Sequence, residues 1–455
     1  MRSNTTSRSS NKLSVRSAAD NYAASLFVVL FFSAVTARLG FEGLAEATVL
    51  IVIPAIVFLA LTDRLIIDRR RIYRTGLCPY LGSRITGRRL RLKFGDIEQI
   101  ETHALPRFKR GSRVHYSYRT VIRGGNAEFT LYSSRRSYGR AISVIFGSAP
   151  DDVMDNRSLE FRAYFTDDRL VAERLRLSEI PVSDTFEDIR RKRRRGPNDA
   201  PVETPPASLP RVENLRRLAN ELRIAGFLVQ SLEAFRRAAL LQPLNGWLLF
   251  EFGRSILAYA ASEGDVEIER KGLAMMRLAE RRAGTDVALL SRLGESYFHA
   301  GHWHRATVAF RRSTETVGAN FRAVKGQAEI ALREGKLAHV VHNFSVANAL
   351  SKVRSVKRWT SGEVEYFSRL NGDSTYMELE ISRLNLTETF QRLGRWASPI
   401  AMTGIALVFA GWRANESGLA DAGWTISTVA ILVWAGARVG GFVVSSRIPP
   451  DMVDQ

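Results

Sequence analysis

Histidines are the side chains in this 455-residue sequence that come closest to a metal site. His299, His302 and His304 lie close together, and His339 and His342 are one helical turn apart. A metal site needs imidazoles at a defined spacing together with further ligands. His299, His302 and His304 flank a predicted turn, so their side chains are expected to diverge. The pair His339 and His342 has no carboxylate on the same helical turn. We therefore predict no metal site.

Motifs for catalysis or cofactor binding are absent from the sequence. It contains no P-loop, no dinucleotide-binding fingerprint and no nucleophile elbow. The single cysteine, Cys78, excludes an intrachain disulfide and has no neighbouring base that would activate its thiol. No carboxylate lies inside the long apolar runs, where a proton relay would need one. The sequence predicts a protein that is not an enzyme, with no catalytic residues and no cofactor.

The charge of the chain points to anionic partners. Its formal net charge is +20, and residues 63–210 hold 30 Lys and Arg against 19 Asp and Glu, a net of +11. The densest basic run is Arg190, Arg191, Lys192, Arg193, Arg194 and Arg195. Three interpretations remain open: a solvated tether, a contact with anionic lipid headgroups, or nucleic-acid binding. The placement of the charge beside apolar runs favours lipid over nucleic acid.

A helical pattern with a 34-residue repeat begins near residue 211. Ala219 and Gly253 are 34 positions apart, as are Gly294 and Ala328. An insertion at 261–267 lengthens the interval between Gly253 and Gly294. The repeated positions are Leu218, Ala219, Leu222, Gly226, Ser231, Phe235, Ala238 and Pro243 in the first unit, and Leu290, Leu293, Gly294, Tyr297, Ala306 and Phe310 in the third. This pattern resembles the tetratricopeptide repeat (TPR) family over about 212–354.

The TPR resemblance implies a stack of helical hairpins with a partner-binding groove lined by the first helix of each unit. Projected onto this sequence, the groove holds Arg216, Asn220, Arg223, Phe250, Arg254, Ser291, Glu295, Lys325 and Glu329. Arg216 and Asn220 resemble two members of the family's clamp for C-terminal carboxylates. Glu251 is acidic where that clamp needs a polar or basic side chain, so we expect a different protein or peptide partner.

Four uncharged apolar runs predict membrane spans at residues 22–37, 47–62, 396–412 and 422–437. Each is about 16 residues long, and flanking apolar residues extend it toward the roughly 20 that a bilayer needs. A cleaved signal peptide is the alternative for the first run. Lys and Arg are rare in the two short loops that connect the runs and more frequent at the other ends of the runs. This asymmetry predicts cytoplasmic termini and a cytoplasmic central region. The fold combination suggests a bacterial inner membrane.

The segment 63–180 is predicted to be mostly β. Residues 89–94 alternate basic and apolar side chains, Gly124, Gly125 and Asn126 form a hairpin turn, and a helix is expected from Asp167 to Leu177. Residues 66–76 (IIDRRRIYRTG) and 92–101 (LKFGDIEQIE) resemble the opening strands of bacterial pleckstrin-homology-like (PH-like) domains. That resemblance implies an antiparallel sheet closed by one helix.

These predictions combine into a membrane-anchored α+β protein in which two transmembrane hairpins flank a PH-like domain and a helical TPR solenoid. The predicted segments are a basic N-terminus (1–20), a transmembrane hairpin (21–62), the β-rich domain (63–180), a basic proline-rich linker (181–210), the repeats (211–390), a second hairpin (394–440) and a C-terminal tail (441–455). We expect a scaffold that recruits a protein to the membrane. The alternative is a membrane-associated protein that binds nucleic acid or anionic lipid.

Overall fold

The computed structural model describes residues 13–16, 20–68, 70–110, 113–134, 137–177, 209–318, 320–444 and 447. Within these ranges the chain forms two compact units. The first, here called the central unit, consists mainly of Arg91–Val364, and the second, the apolar-helix unit, of Arg16–Ile66, Tyr73–Leu90 and Glu365–Gln455. The central unit contains most of the predicted β-rich segment and most of the predicted repeats, while residues 73–90 and 365–390 belong to the apolar-helix unit.

The part of the chain before residue 178 mixes strands and helices. Its elements are β1 (Leu13–Arg16), α1 (Asp20–Arg38), α2 (Glu42–Ala47), a π-helical turn (Thr48–Val52), α3 (Ile53–Thr62), β2 (Arg64–Ile67), β3 (Arg71–Thr75), α4 (Leu77–Thr86), β4 (Arg91–Lys93), β5 (Gln99–Arg110), β6 (Arg113–Gly124), β7 (Ala127–Tyr132), α5 (Tyr138–Ser148), α6 (Asn156–Tyr164) and α7 (Asp168–Leu177).

The part after residue 208 is helical throughout the described ranges. Its elements are α8 (Leu209–Ile224), α9 (Leu228–Leu241), α10 (Gly246–Glu263), α11 (Val266–Arg282), α12 (Val287–His299), α13 (Trp303–Val317), α14 (Phe321–Arg333), α15 (Leu337–Leu350), α16 (Arg354–Gly372), α17 (Ser374–Ala414) and α18 (Ser417–Val444). The protein is therefore mostly helical, with two small sheets.

Three helices in the described ranges are long and apolar enough to cross a membrane: Glu42–Thr62, α17 and α18. Tyr22–Arg38 is a shorter apolar helix. The π-helical turn ends two residues before Pro54, whose ring clashes with the carbonyl four residues earlier in a regular helix. Helix α17 runs without a break across the predicted boundary at 390–394, and it also continues through Pro399.

Small residues allow the two long C-terminal helices to pack closely. A Cβ atom on Gly404 would lie 2.4 Å from Ser427 Oγ, and one on Gly423 would lie 2.6 Å from the Val408 nitrogen. Phe31 of α1 packs against Ala430 in the same unit. Close contact through small residues is a common way for apolar helices to associate where the hydrophobic effect cannot drive them together.

The strands form a four-stranded sheet in the order β1-β2-β3-β4 and a separate antiparallel sheet in the order β5-β6-β7. The predicted hairpin turn joins β6 and β7, with positive φ at Gly125 (54°) and Asn126 (64°), as a tight type I′ turn requires. The helix expected from Asp167 is present, and its Asp167 carboxylate accepts the N–H of Arg169 at 2.9 Å. The described residues between 63 and 177 contribute strands to both sheets and form the helices α4 to α7.

Helices α8 to α15 form four consecutive helical hairpins in the central unit. Asn245, Asp265, Asp286 and Asn320 cap the N-termini of α10, α11, α12 and α14 with their side chains. Most of the repeated positions of the sequence lie in the core: Ala219, Leu222, Phe235 and Ala238 in the first hairpin, and Leu290, Leu293, Tyr297, Ala306 and Phe310 in the third, are at most 1% exposed. The 34-residue spacing therefore marks core positions.

Candidate functional site

The predicted groove residues lie on the first helices of the four hairpins, α8, α10, α12 and α14. We call the surface that these helices form the first-helix face. It is covered by a segment of the same chain. Helix α6 and the turns beside it contact the first helix of every hairpin, through Tyr164 and Thr166 at one end and through the carbonyl of Met154 at the other.

Helix α6 is formed by local signals in the sequence. The Asp155 carboxylate caps its N-terminus by accepting the N–H of Ser158 at 2.9 Å. One side of the helix packs on the β5–β7 sheet, where the hydroxyls of Ser158 and Thr102 are 2.8 Å apart and the rings of Phe161 and Tyr118 meet edge to face at 4.5 Å. The opposite side presents Asn156 and Glu160 to the hairpins.

Glu160 is the centre of the contact between α6 and the first-helix face. Its side chain is 2% exposed, and three arginines from three hairpins surround it: Arg223 at 2.9 Å, Arg292 at 3.7 Å, and Arg254 in direct contact. Burial alone would raise the pKa of Glu160, but the attraction of the three guanidinium groups outweighs it and lowers the pKa to about 2. The carboxylate is therefore ionised at neutral pH and holds three hairpins to one helix.

A second polar contact joins the N-terminal end of α6 to α12 and α14. The Asn156 N–H donates to Glu295 at 2.9 Å, and Arg292 Nε donates to the Asn156 side-chain oxygen at 2.8 Å. Arg322 pairs with Glu295 at 2.6 Å and donates to the Met154 carbonyl at 2.8 Å. Burial raises the pKa of Glu295, but Arg322 and Lys325 outweigh that effect and lower the pKa to about 2.

The two residues that resemble a carboxylate clamp are already bound to a carboxylate of the same chain. Arg216 forms a two-pronged contact with Glu251, at 2.6 and 2.8 Å, and the Asn220 amide donates to the same carboxylate at 2.9 Å. Tyr164, at the end of α6, also donates to Glu251 at 3.3 Å. Glu251, which does not match the clamp pattern in the sequence, therefore neutralises Arg216 and engages Asn220.

The nine predicted groove residues do not form an open surface. Arg216, Asn220, Arg223, Arg254 and Glu295 are engaged by Glu251, Glu160, Arg322 or α6, as described above. Phe250 and Ser291 are fully buried in the hairpin core. Lys325 and Glu329 pair with each other at 3.3 Å and are 24% and 35% exposed. The docking of α6 engages the charged members of this set, and the helical period could not reveal that docking.

Five residues of this contact were not singled out in the sequence: Asn156, Glu160, Tyr164, Arg292 and Arg322. The Asp155 cap could have predicted that a helix begins at residue 156. No pattern in the sequence indicates which surface a short polar helix packs against, because that depends on the shape that the hairpins form together.

The two buried carboxylates predict acid-sensitive docking of α6. A carboxylate with a lowered pKa in the folded state stabilises the fold above its ordinary pKa of 4.5, and that contribution disappears as the pH falls toward the lowered value. Each shift corresponds to about 3 kcal/mol. We expect hydrogen exchange of residues 151–164 in the full-length protein to be constant from pH 7 to 5, after correction for intrinsic rates, and protection to fall from pH 4.5 to 2.

The raised pKa of Asp155, caused by burial and by repulsion from Glu295, acts in the opposite direction and reduces the net effect. Glu295→Gln provides the control, since it removes one of the two titrating groups and should shrink the acid-dependent loss of protection. Protection that is unchanged down to pH 2 would contradict the arrangement of charges described here.

The anionic-lipid hypothesis cannot be placed on the structure, since the basic run Arg190–Arg195 lies outside the described residues. Among the described residues, no group of three or more His, Cys, Asp or Glu side chains is placed to hold a metal ion. In comparisons with known proteins, no family model, curated protein or solved structure matches the chain.

Proposed function

We propose that this protein is a membrane-anchored adaptor whose helical hairpins, as members of the TPR family, bind a helix of a partner protein. The observation that supports this most is that the first-helix face already holds a helix, α6, through side chains from all four hairpins. Recognition of a helix in a groove is a common mode of peptide binding. In this proposal α6 is a built-in ligand, and a partner replaces it.

The contacts of α6 describe the partner that would fit. Asn156 and Glu160 are four residues apart, so an amide and a carboxylate lie on one face of the helix, one turn from each other. The carboxylate meets Arg223, Arg254 and Arg292, which would be three buried cations without an anion if α6 left. A competing helix therefore needs an acidic side chain at the position of Glu160.

The apolar helices supply the anchor in this proposal. The three that are long enough to cross a membrane, together with the shorter Tyr22–Arg38, would give four spans. Both termini, the PH-like part and the hairpins would then face the cytoplasm, at a bacterial inner membrane. The pairing of Arg38 with Asp421 supports this arrangement, because it puts the two short loops at the same end of the apolar-helix unit.

A loosened α6 should increase partner capture. Asn156→Ala removes the amide contacts with Arg292 and leaves Glu160 and its arginines in place, so the displacement of α6 should cost about 1–2 kcal/mol less. That corresponds to roughly a 5- to 30-fold higher open fraction. We expect crosslinking pull-downs of the full-length protein from native membranes to recover correspondingly more partner with Asn156→Ala than with wild type.

Two controls make this test specific for the first-helix face. Asn385→Ala replaces an exposed asparagine of α17 and should leave capture unchanged. A synthetic peptide of residues 151–167 should compete with the captured protein, whereas the same peptide with Glu160→Gln should compete far less. If Asn156→Ala captures no more than wild type and the peptide does not compete, the first-helix face is not the partner site.

A further inference from the structure

A small cavity lies where the β5–β6 hairpin, α6, α8 and α10 meet in the central unit. Its volume is about 220 Å³. Ala104, Val114, Ile224 and Ala258 form apolar walls, and three charged residues, Arg157, Arg223 and Glu160, also line the cavity. The exposed Ala261 marks an opening to solvent. The charged lining, with two arginines and one carboxylate, has a net positive charge, and we call it the cationic end of the cavity.

Positive charges outnumber carboxylates at this end of the cavity. Arg223, Arg254 and Arg292 all pair with one carboxylate, Glu160, and Arg157 lies on the same helix three residues before it. Arg157 is half-buried and has no ion pair with any residue that the structure describes. Burial, together with repulsion from the neighbouring arginines, lowers the pKa of Arg254 to about 10, although Glu160 acts in the opposite direction. An additional anion would relieve this excess of positive charge.

Two polar groups at the cationic end also lack hydrogen-bond partners within the described ranges. Arg223 is 10% exposed, and its Nε is buried without an acceptor. The hydroxyl of Tyr116, which also lines the cavity, is not hydrogen-bonded either, whereas the neighbouring Tyr118 donates to the Ile224 carbonyl at 2.6 Å. A buried N–H group of a charged side chain with no acceptor is costly, and a bound oxyanion would provide one.

We propose that this cavity is a binding site for a small organic anion, with a carboxylate or phosphate group held by Arg157 and Arg223 and an apolar body against Ala104, Val114 and Ala258. The size of the ligand follows from the volume. A cavity of about 150 Å³ holds benzene, so about 220 Å³ suits roughly nine non-hydrogen atoms, the size of benzoate.

This site does not depend on the adaptor proposal, because it requires α6 in its docked position rather than displaced. Arg157 belongs to α6, so an anion bound between Arg157 and Arg223 would hold α6 against the first-helix face. Binding to the docked form alone stabilises that form in proportion to ligand concentration.

The test uses the purified full-length protein in detergent with three probes: benzoate, phenyl phosphate and inorganic phosphate. We expect saturating benzoate or phenyl phosphate to raise the Tm by about 2–4 °C. Inorganic phosphate, which has no apolar body, should raise it less. Arg157→Gln should abolish the increase, and because it removes a repelling cation without breaking an ion pair, the ligand-free Tm should stay equal or rise.

Arg162→Gln is the matched control on the same helix, since Arg162 pairs with Asp151 at 2.7 Å and does not line this cavity. It should keep the full response to benzoate. Ala258→Leu should block the apolar body and abolish the response to benzoate while it preserves the response to inorganic phosphate. The proposal is overturned if none of the probes raises the Tm of the wild type, or if Arg157→Gln responds as the wild type does.

Discussion

Glu160→Gln is expected to destabilise the docking of α6 by about 3–5 kcal/mol, the usual cost of removing one partner from a buried ion pair. The glutamine has nearly the same shape, so the loss comes from charge: Arg223, Arg254 and Arg292 would remain buried with no carboxylate between them. Native-state hydrogen exchange of the full-length protein should show the loss of protection in residues 151–164 and in α10.

The control for this variant is Glu315→Gln. Glu315 pairs with Arg311 on the surface of α13, where both side chains are more than 60% exposed, so its removal should cost less than about 1 kcal/mol. The double variant Glu160→Gln with Arg254→Gln should cost less than the sum of the two single variants, because it removes a cation together with its anion. Equal effects of Glu160→Gln and Glu315→Gln would show that Glu160 is not buried among arginines.

Gly226→Ala is expected to have the second largest effect, about 2–5 kcal/mol. Gly226 connects α8 to α9 with φ +82°, and a Cβ atom there would lie 1.8 Å from the Val114 carbonyl oxygen of β6. An alanine would combine the cost of a positive φ, about 1–2 kcal/mol, with that of overpacking, about 1–3 kcal/mol. The neighbouring atom belongs to the backbone, so it cannot rotate away as a side chain could.

Gly264→Ala separates these two costs. Gly264 also has a positive φ, +69°, at the end of α10, but no atom lies within 4 Å of the position of its Cβ. It should show only the conformational cost, while Gly226→Ala should additionally break the hydrogen bond from the Val114 N–H to the Gly226 carbonyl, at 3.0 Å. Similar unfolding free energies for both variants would mean that β6 does not pack on this turn.

The sequence determined the local features of this protein. The 34-residue spacing of small and aromatic residues located core positions of the hairpins, because a hairpin buries the same positions each time the unit repeats. Uncharged runs located the apolar helices, because the length and composition of a run can be read directly from the sequence. The turn at Gly125 and Asn126 and the helix after Asp167 were predictable from backbone and capping preferences, which act between neighbouring residues.

The tertiary structure decided what these elements do together. The alternation of strand residues could not show that the strands divide into two sheets, because strand pairing depends on residues far apart in the sequence. The charges of Arg216, Arg223 and Arg254 suggested an open groove, yet their partners are Glu251 and Glu160, the latter about 60 to 95 positions away from two of them. Only the docking of α6 brings these charges together. A buried charge needs an oppositely charged partner, whereas an exposed charge can be solvated by water instead.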